Sequence, residues 1–592
     1  MSHRTATSRS RGLVRALVLG MAASTPALAG DRPRGPDWIV GDAVASVEVV
    51  RPSDLIKRLT NEPVPTLLGS IPGYQRYLAG DAYREHRAAL EVVSGRLGTT
   101  WDRALENILG DGLVLAIEPG TPPRGILVAT PRDPAFLAKS LETLIALARE
   151  DAATKGKPDP IRSAEHRGVL GYNLGPNVAL AIVDGTLVIA ESAETLKSVI
   201  DRSIDPLDPG STLAGEPLWK ARRSADLSGD ALAWAFLRVD RLRKLDSNAL
   251  KVPDQVNPLA GLLFSDWVEA VRKTPWTSAG LTWTEQRLGL DLTVATPPEG
   301  YSEALRRYLP SEGKGASTPL AVKGSIASVS LWRDLSSLWE VRSDLFPPEV
   351  VQGFAQLDTV AGTFFGGRDF GTDVLGALGS NWRLVIASQD TSDFDPMPAD
   401  KLPAFALIAD LKPDDPDFAI RLKSAFQSII GLINLGAAES KAPPLMLGSE
   451  TIDGVAVATS KFLKPKVVEP TEPVHTRHNF TPSAAQVGDH FILSSSLGLV
   501  RNLIPALKNP TEPTGATVLI EADGAELAGL VAANRPKLVM QNMLEQGNDK
   551  PKAESEIDFL ARALKTLGRG SFSAIDSPEE VRLRLNFKLQ TP

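Results

Sequence analysis

The chain is organised around one stretch. It runs His166-Arg167-Gly168-Val169-Leu170-Gly171-Tyr172, then an apolar run from Val178 to Val183, then Asp184-Gly185, then Thr186-Leu187-Val188-Ile189-Ala190. Asp-Gly between two apolar runs is a strong hairpin signal, because a type I′ turn needs φ > 0 at both central residues. Ser192 follows in the place of an N-cap, with Glu194 in the first turn and Leu196, Val199 and Ile200 at helical spacing. The stretch reads strand, tight turn, strand, helix.

The pattern returns near the other end of the chain. Val487-Gly488-Asp489-His490-Phe491-Ile492-Leu493 falls position by position on Val183 to Ile189, Ser496 on Ser192, Val500 on Leu196 and Ile504 on Ile200. Ile452-Asp453-Gly454-Val455 echoes His166-Arg167-Gly168-Val169. Size, polarity and turn chemistry agree across about half the chain, which marks an internal repeat.

Working outward, Trp38 to Leu55 and Leu320 to Leu335 each read as a strand leading into a helix. Helical regions follow at Tyr74 to Leu97 and Pro348 to Val360, then shorter ones at Trp101 to Leu109, closed by Gly110, and Asp373 to Leu378, closed by Gly379. Next come the hairpins Leu113–Ile117 with Gly125–Ala129, and Trp382–Ala387 with Ala404–Ala409. Asp133-Pro134-Ala135-Phe136 and Asp415-Pro416-Asp417-Phe418 both place Asp at an N-cap and Pro at the first helical position. Each half closes alike, with a strand (Ala231–Val239; Ala516–Ala522), a helix (Leu262–Val271; Ile557–Leu567) and a last hairpin.

Tight turns make neighbouring strands antiparallel. The expected fold class is α+β, with two tandem, distantly related halves of antiparallel hairpins interrupted by amphipathic helices packed on the sheet. The expected boundaries are 1–29 for a signal peptide, 30–298 for the first half, 299–319 for a connector and 320–592 for the second half.

The first 29 residues carry the address. Arg4, Arg9, Arg11 and Arg15 precede a short apolar run, and Ala27-Leu28-Ala29 forms an A-x-A cleavage site. Cleavage near Ala29 predicts export to the periplasm or beyond. No later stretch reaches the roughly 18 uninterrupted apolar residues of a membrane helix. The chain has no cysteine, which excludes a lipobox anchor, disulfides and thiol chemistry. Removing those four arginines from the 64 basic residues leaves 60 against 71 acidic ones, a formal charge of −11. That balance argues against general nucleic-acid binding, which needs clustered cations.

An exported chain with a D-P-x-F helix, an R-G-V strand and D-G-T-L-V-I-A before L-K-x-V-I resembles a family of exported bacterial proteins classed as a domain of unknown function. The motifs are Asp133-Pro134-Ala135-Phe136, Arg167-Gly168-Val169, and Asp184 to Ala190 with Leu196-Lys197-Ser198-Val199-Ile200. They cover the first half well and the second loosely, where Gly488-Asp489 replaces Asp-Gly. The resemblance implies no activity, cofactor or catalytic residue that carries over.

The chain holds no G-x-S-x-G, P-loop, G-x-G-x-x-G, H-E-x-x-H or C-x-x-C. Candidate metal ligands are His475 and His478, spaced i, i+3, with Glu469, Glu472 and His490 near in sequence. The competing reading is a proline-rich polar insertion, since the first half has only Leu174-Gly175-Pro176-Asn177 there. Asp390, Asp393 and Asp395, with Asp400, form a second candidate, for Ca²⁺, against a solvated hairpin tip without EF-hand spacing. His86 and His166 are weighed as general bases against plain surface histidines. Trp332, Trp339 and Trp382, and Phe364, Phe365 and Phe370 around Gly366-Gly367, suit a groove or a core.

The sequence favours a soluble, non-catalytic binding or scaffold protein with an unknown protein or apolar ligand as partner and no cofactor. The alternative is a carrier of an apolar ligand or lipid in a groove between sheet and helices. A metal-dependent hydrolase using His475 and His478 stands last.

Overall fold

The computed structural model describes residues 35–592 except 62–64, 66–71, 176, 228, 248–266, 298, 312–313, 392–393, 395–396, 440–441, 464–474, 510–511 and 590–592. The expected signal peptide lies outside these residues. The fold is α+β. Chain contacts divide it into one unit of 1–251, 274–295 and 591–592 and another of 252–273 and 296–590. Residues 299–319 thus count with the second unit, where Glu303–Tyr308 is a helix.

In the first unit the strands are β1 (Ala45–Val49), β2 (Leu113–Glu118), β3 (Arg124–Ala129), β4 (Arg162–His166), β5 (Val169–Asn173), β6 (Ala179–Val183), β7 (Thr186–Ala190), β8 (Ala231–Leu237), β9 (Thr277–Trp283) and β10 (Arg287–Ala295). All their pairings are antiparallel, in the order β4-β5-β6-β7-β3-β2-β1-β8-β9-β10. In the second unit the strands are β11 (Ser325–Trp332), β12 (Leu378–Ala387), β13 (Ala404–Leu411), β14 (Leu445–Ile452), β15 (Val455–Phe462), β16 (Ser483–Val487), β17 (His490–Ser494), β18 (Val518–Asp523), β19 (Arg569–Asp576) and β20 (Glu580–Lys588). Their order, β14-β15-β16-β17-β13-β12-β11-β18-β19-β20, has the same connectivity.

The turn chemistry explains the register. Asp184 and Gly185 have φ of 49° and 74°, and Val183 faces Thr186 across a two-residue loop. Arg167-Gly168 and Asp453-Gly454 make the same kind of turn, with φ of 52° and 83°, and 50° and 81°. The expected R-G-V strand is therefore a hairpin tip joining β4 to β5, since both central residues lie in the left-handed region.

Helices form where caps and apolar stripes agree. The Asp133 carboxylate accepts from the Phe136 N–H at 3.0 Å and opens α1 (Pro134–Thr154). Ser192 Oγ accepts from the Thr195 N–H at 3.1 Å and opens α2 (Ala193–Ile204). Glu216 caps α3 (Pro217–Asp226). In the second unit α4 (Phe418–Glu439) begins two residues later than Pro416 predicts, and the Asp415 carboxylate is held by Arg421. The expected helix Asp373 to Leu378 is a short π and 3₁₀ turn running directly into β12. Gly110 serves a close approach and is no left-handed cap: a β-carbon there would stand 1.6 Å from the Arg132 nitrogen.

The strands of each unit present two faces. One face of the first packs under α2, through Leu196, Val199 and Ile200 against Ile126, Val128, Ala181 and Val188, and under α3, through Trp219 against Trp234 and Phe236. The opposite face is covered at β5–β7 by α1, through Leu141 and Ile145 against Leu180. No helix among the described residues is long and apolar enough to cross a membrane.

Candidate functional site

Alternation along a strand sends neighbours to opposite faces, and a half-covered sheet normally hides its apolar side. In the first unit the hidden side is apolar with a few polar groups among Val114, Ala116, Trp234 and Phe236, and part of the other side, also apolar, is exposed. Ser46, Glu48 and Glu118 are 3%, 2% and 0% exposed, while Val47, Leu115 and Ile117 are 37–42% exposed. Register aligns this side into one apolar row, Ile189-Leu127-Leu115-Val47-Ala235-Ala279-Leu292, across seven strands; Leu115 and Val47 are exposed in it, while Ile189 and Leu127 pack in the clusters under α1. The flanking row Gly125-Ile117-Ala45-Leu237 is also apolar and ends at Thr277.

Ion pairs make the buried polar groups stable. Glu48 accepts from Arg223 Nε and Nη2 at 2.6 Å each. Glu118 accepts from Arg202 at 2.5 and 3.2 Å and from the Val40 N–H at 3.1 Å. Asp226 accepts from Arg222, Trp234 Nε1 and Ser278 Oγ. Buried charges persist only when paired and hydrogen-bonded, and these are. They hold α2 and α3 on the sheet.

The second unit repeats the row as Leu493-Leu407-Leu384-Val329-Ile520-Phe572-Leu585, where Phe572 meets the Trp267 ring edge-on. Leu407, Leu493 and Phe405 are 41–51% exposed. Fully burying an aliphatic side chain is worth about 1.5–3 kcal/mol, so each half-exposed one forgoes on the order of 1 kcal/mol. Such patches mark contact surfaces.

On the open face of the first unit, beneath α1, lies a cavity of about 300 Å³. Leu141, Leu144, Ile145, Leu174 and Leu180 line it, with Asp151, Lys157 and Asp159 at its polar part.

The residues singled out from sequence are placed as follows. His475 caps the 3₁₀ turn Thr476–Asn479, its Nδ1 accepting from the Arg477 N–H at 3.1 Å, and His478 lies within the turn. Burial and the neighbouring Arg477 push the His478 imidazole below its ordinary pKa. Asp393, Asp395, Glu469 and Glu472 lie outside the described residues, and Asp390 ends near β12. Among the described residues no three His, Asp or Glu side chains gather as a metal site. His86 meets Tyr77 Oη at 3.1 Å on the surface, and His166 Nε2 meets Asp201 at 2.8 Å. Phe365 stacks on Phe418 and Phe370 packs edge-on against Trp339, so these aromatics are core.

One cluster escaped the sequence reading. His490 Nδ1 lies 2.8 Å from Asp410 Oδ1, and Arg383, 1% exposed, donates to Asp410 Oδ1 from the neighbouring strand at 3.3 Å, its Nη2 also standing 3.3 Å from His490 Nδ1. Burial lowers the Arg383 pKa, with Asp410 opposing it. Only the register of β12, β13 and β17 brings these three together. Among the described residues no nucleophilic hydroxyl bonds His490, so the group reads as an ion-pair cluster, buried at Arg383 and partly exposed at Asp410 and His490.

No family model matches the chain, and no curated protein matches it. Among solved structures, crystal forms I, IV and III of TP0453 match at 9%, 10% and 8% identity. They cover 46%, 45% and 47% of this chain and 82%, 82% and 84% of that one, each with a TM-score of 0.24. A likeness that loose carries no argument about this chain.

Proposed function

We propose that the chain is a non-catalytic, exported binding protein whose ligand is apolar and lies against the open face of the sheet. The supporting observation lies at β1 and β2, where aliphatic Val47, Leu115 and Ile117 face outward while Glu48 and Glu118 are buried. These exposed residues of the first unit are uncharged and aliphatic, which matches hydrocarbon; a protein interface would present hydrogen-bonding groups and aromatic anchors. The matching rows of the two units support a duplicated module with two such faces.

The test is titration of the purified chain with the apolar dye N-phenyl-1-naphthylamine. Saturable binding is expected, weakened about tenfold by Leu115→Lys with an unchanged melting temperature. Absence of binding, together with no amphiphile retained in native mass spectrometry, would overturn the reading. Export is part of the proposal, and an intact Met1 on a cytoplasmic pool would refute it.

A further inference from the structure

We infer that the cavity beneath α1 is a separate site for one unbranched alkyl chain of a single-chain amphiphile. The inference deepens the reading of an apolar ligand but rests on different residues. Five side chains of α1 form its roof: Leu141, Leu144, Ile145, Ala148 and Ala152. Leu180, from β6, and Leu174 form the floor, and Ile161 closes one side. Leu141, Ile145, Ile161 and Leu180 are only 1–7% exposed, while Pro158, Asp159 and Pro160 on the lining are exposed and leave the cavity partly open.

Water enters a cavity only where polar partners await it. Here the polar groups, Asp151, Lys157 and Asp159, stand with Pro158 and Pro160 in the segment after α1 and at its last turns. Lys155 holds Asp151, and Arg149 holds Asp159 at 2.9 Å, so both carboxylates are neutralised without the cavity's help. The apolar interior therefore favours a hydrocarbon occupant, whose head group stays at this polar segment in water. Size sets the number of chains. About 300 Å³ is the lower end of ligand-pocket volumes, room for one alkyl chain and not for a two-chain lipid.

The experiment is calorimetric titration of the full chain with dodecanoate, dodecanol and a dispersed two-chain phosphatidylcholine. Dodecanoate and dodecanol are expected to bind one to one at this site, and the phospholipid is not expected to compete for it. Ala148→Trp fills the cavity from the roof, where Ala148 is only partly buried, and should weaken chain binding at least tenfold. Ala148→Leu, a smaller filling, should weaken it less and guards against misfolding of the larger variant. Dye binding at the open face should survive both. Undiminished dodecanoate binding in folded Ala148→Leu and Ala148→Trp would overturn the cavity site. If Leu115→Lys abolished that binding instead, the open-face reading would stand and this one would fall.

Discussion

Val47 and Glu48 are neighbours in the chain and lie on opposite faces of β1, and it is the glutamate that is buried, 2% exposed against 37% for the valine. Both Glu48 oxygens are held by Arg223 from α3. Glu48→Ala leaves a largely covered guanidinium without its carboxylate and should cost about 2–3 kcal/mol. Val47→Ser should change stability by less than about 1 kcal/mol. Urea unfolding of both variants checks this, and a larger loss from Val47→Ser would contradict the assignment of faces.

The Asp184-Gly185 turn makes a second prediction. Gly185 holds φ of 74°, where a β-branched side chain is strained by on the order of 1 kcal/mol or more. Gly185→Val should lower the melting temperature, and Asp184→Asn should leave it nearly unchanged, since asparagine tolerates the same conformation. An unchanged melting point for Gly185→Val would count against the turn.

His166, and after it Arg167, hold the Asp201 carboxyl below its ordinary pKa. A depressed folded-state pKa stabilises the fold above the unfolded value, and that contribution is lost as pH falls through the folded one. The melting temperature should therefore fall as pH drops below about 4, more steeply in the natural chain than in Asp201→Asn. The gap between the two should narrow from pH 6 to pH 3; a constant gap would show that the pairing has no energetic role.

The cap of α1 can be tested alone. Asp133→Ala removes the acceptor for the Phe136 N–H and should cost about 1 kcal/mol, most of it retained by Asp133→Asn. Thermal unfolding decides, and equal losses in the two variants would exclude the cap as the cause.

Local chemistry made much of the chain legible. Asp184-Gly185, Asp133-Pro134 and Ser192 act through turn and cap geometry within a few residues, so the hairpin and both helices stand where the sequence put them. Arg167-Gly168 was misread because an Arg-Gly pair is a weaker turn signal than Asp-Gly, although its backbone does the same thing. Gly110 looked like a helix cap because nothing local reveals that Arg132 passes against it.

Alternation in β1 marks two faces in the sequence but does not say which one is covered, and β2, apolar from Leu113 to Ile117, marks none. Hydrophobicity alone would turn Val47 and Leu115 inward. Tertiary structure decides otherwise because α3 and α2, arriving from over eighty residues away, bring Arg223 to Glu48 and Arg202 to Glu118. Pairing within the fold makes the polar groups of that face buriable, and part of the aliphatic face is left open. The cavity under α1 and the Arg383–Asp410–His490 cluster depend likewise on strand register, which brings together residues that no spacing in the sequence relates.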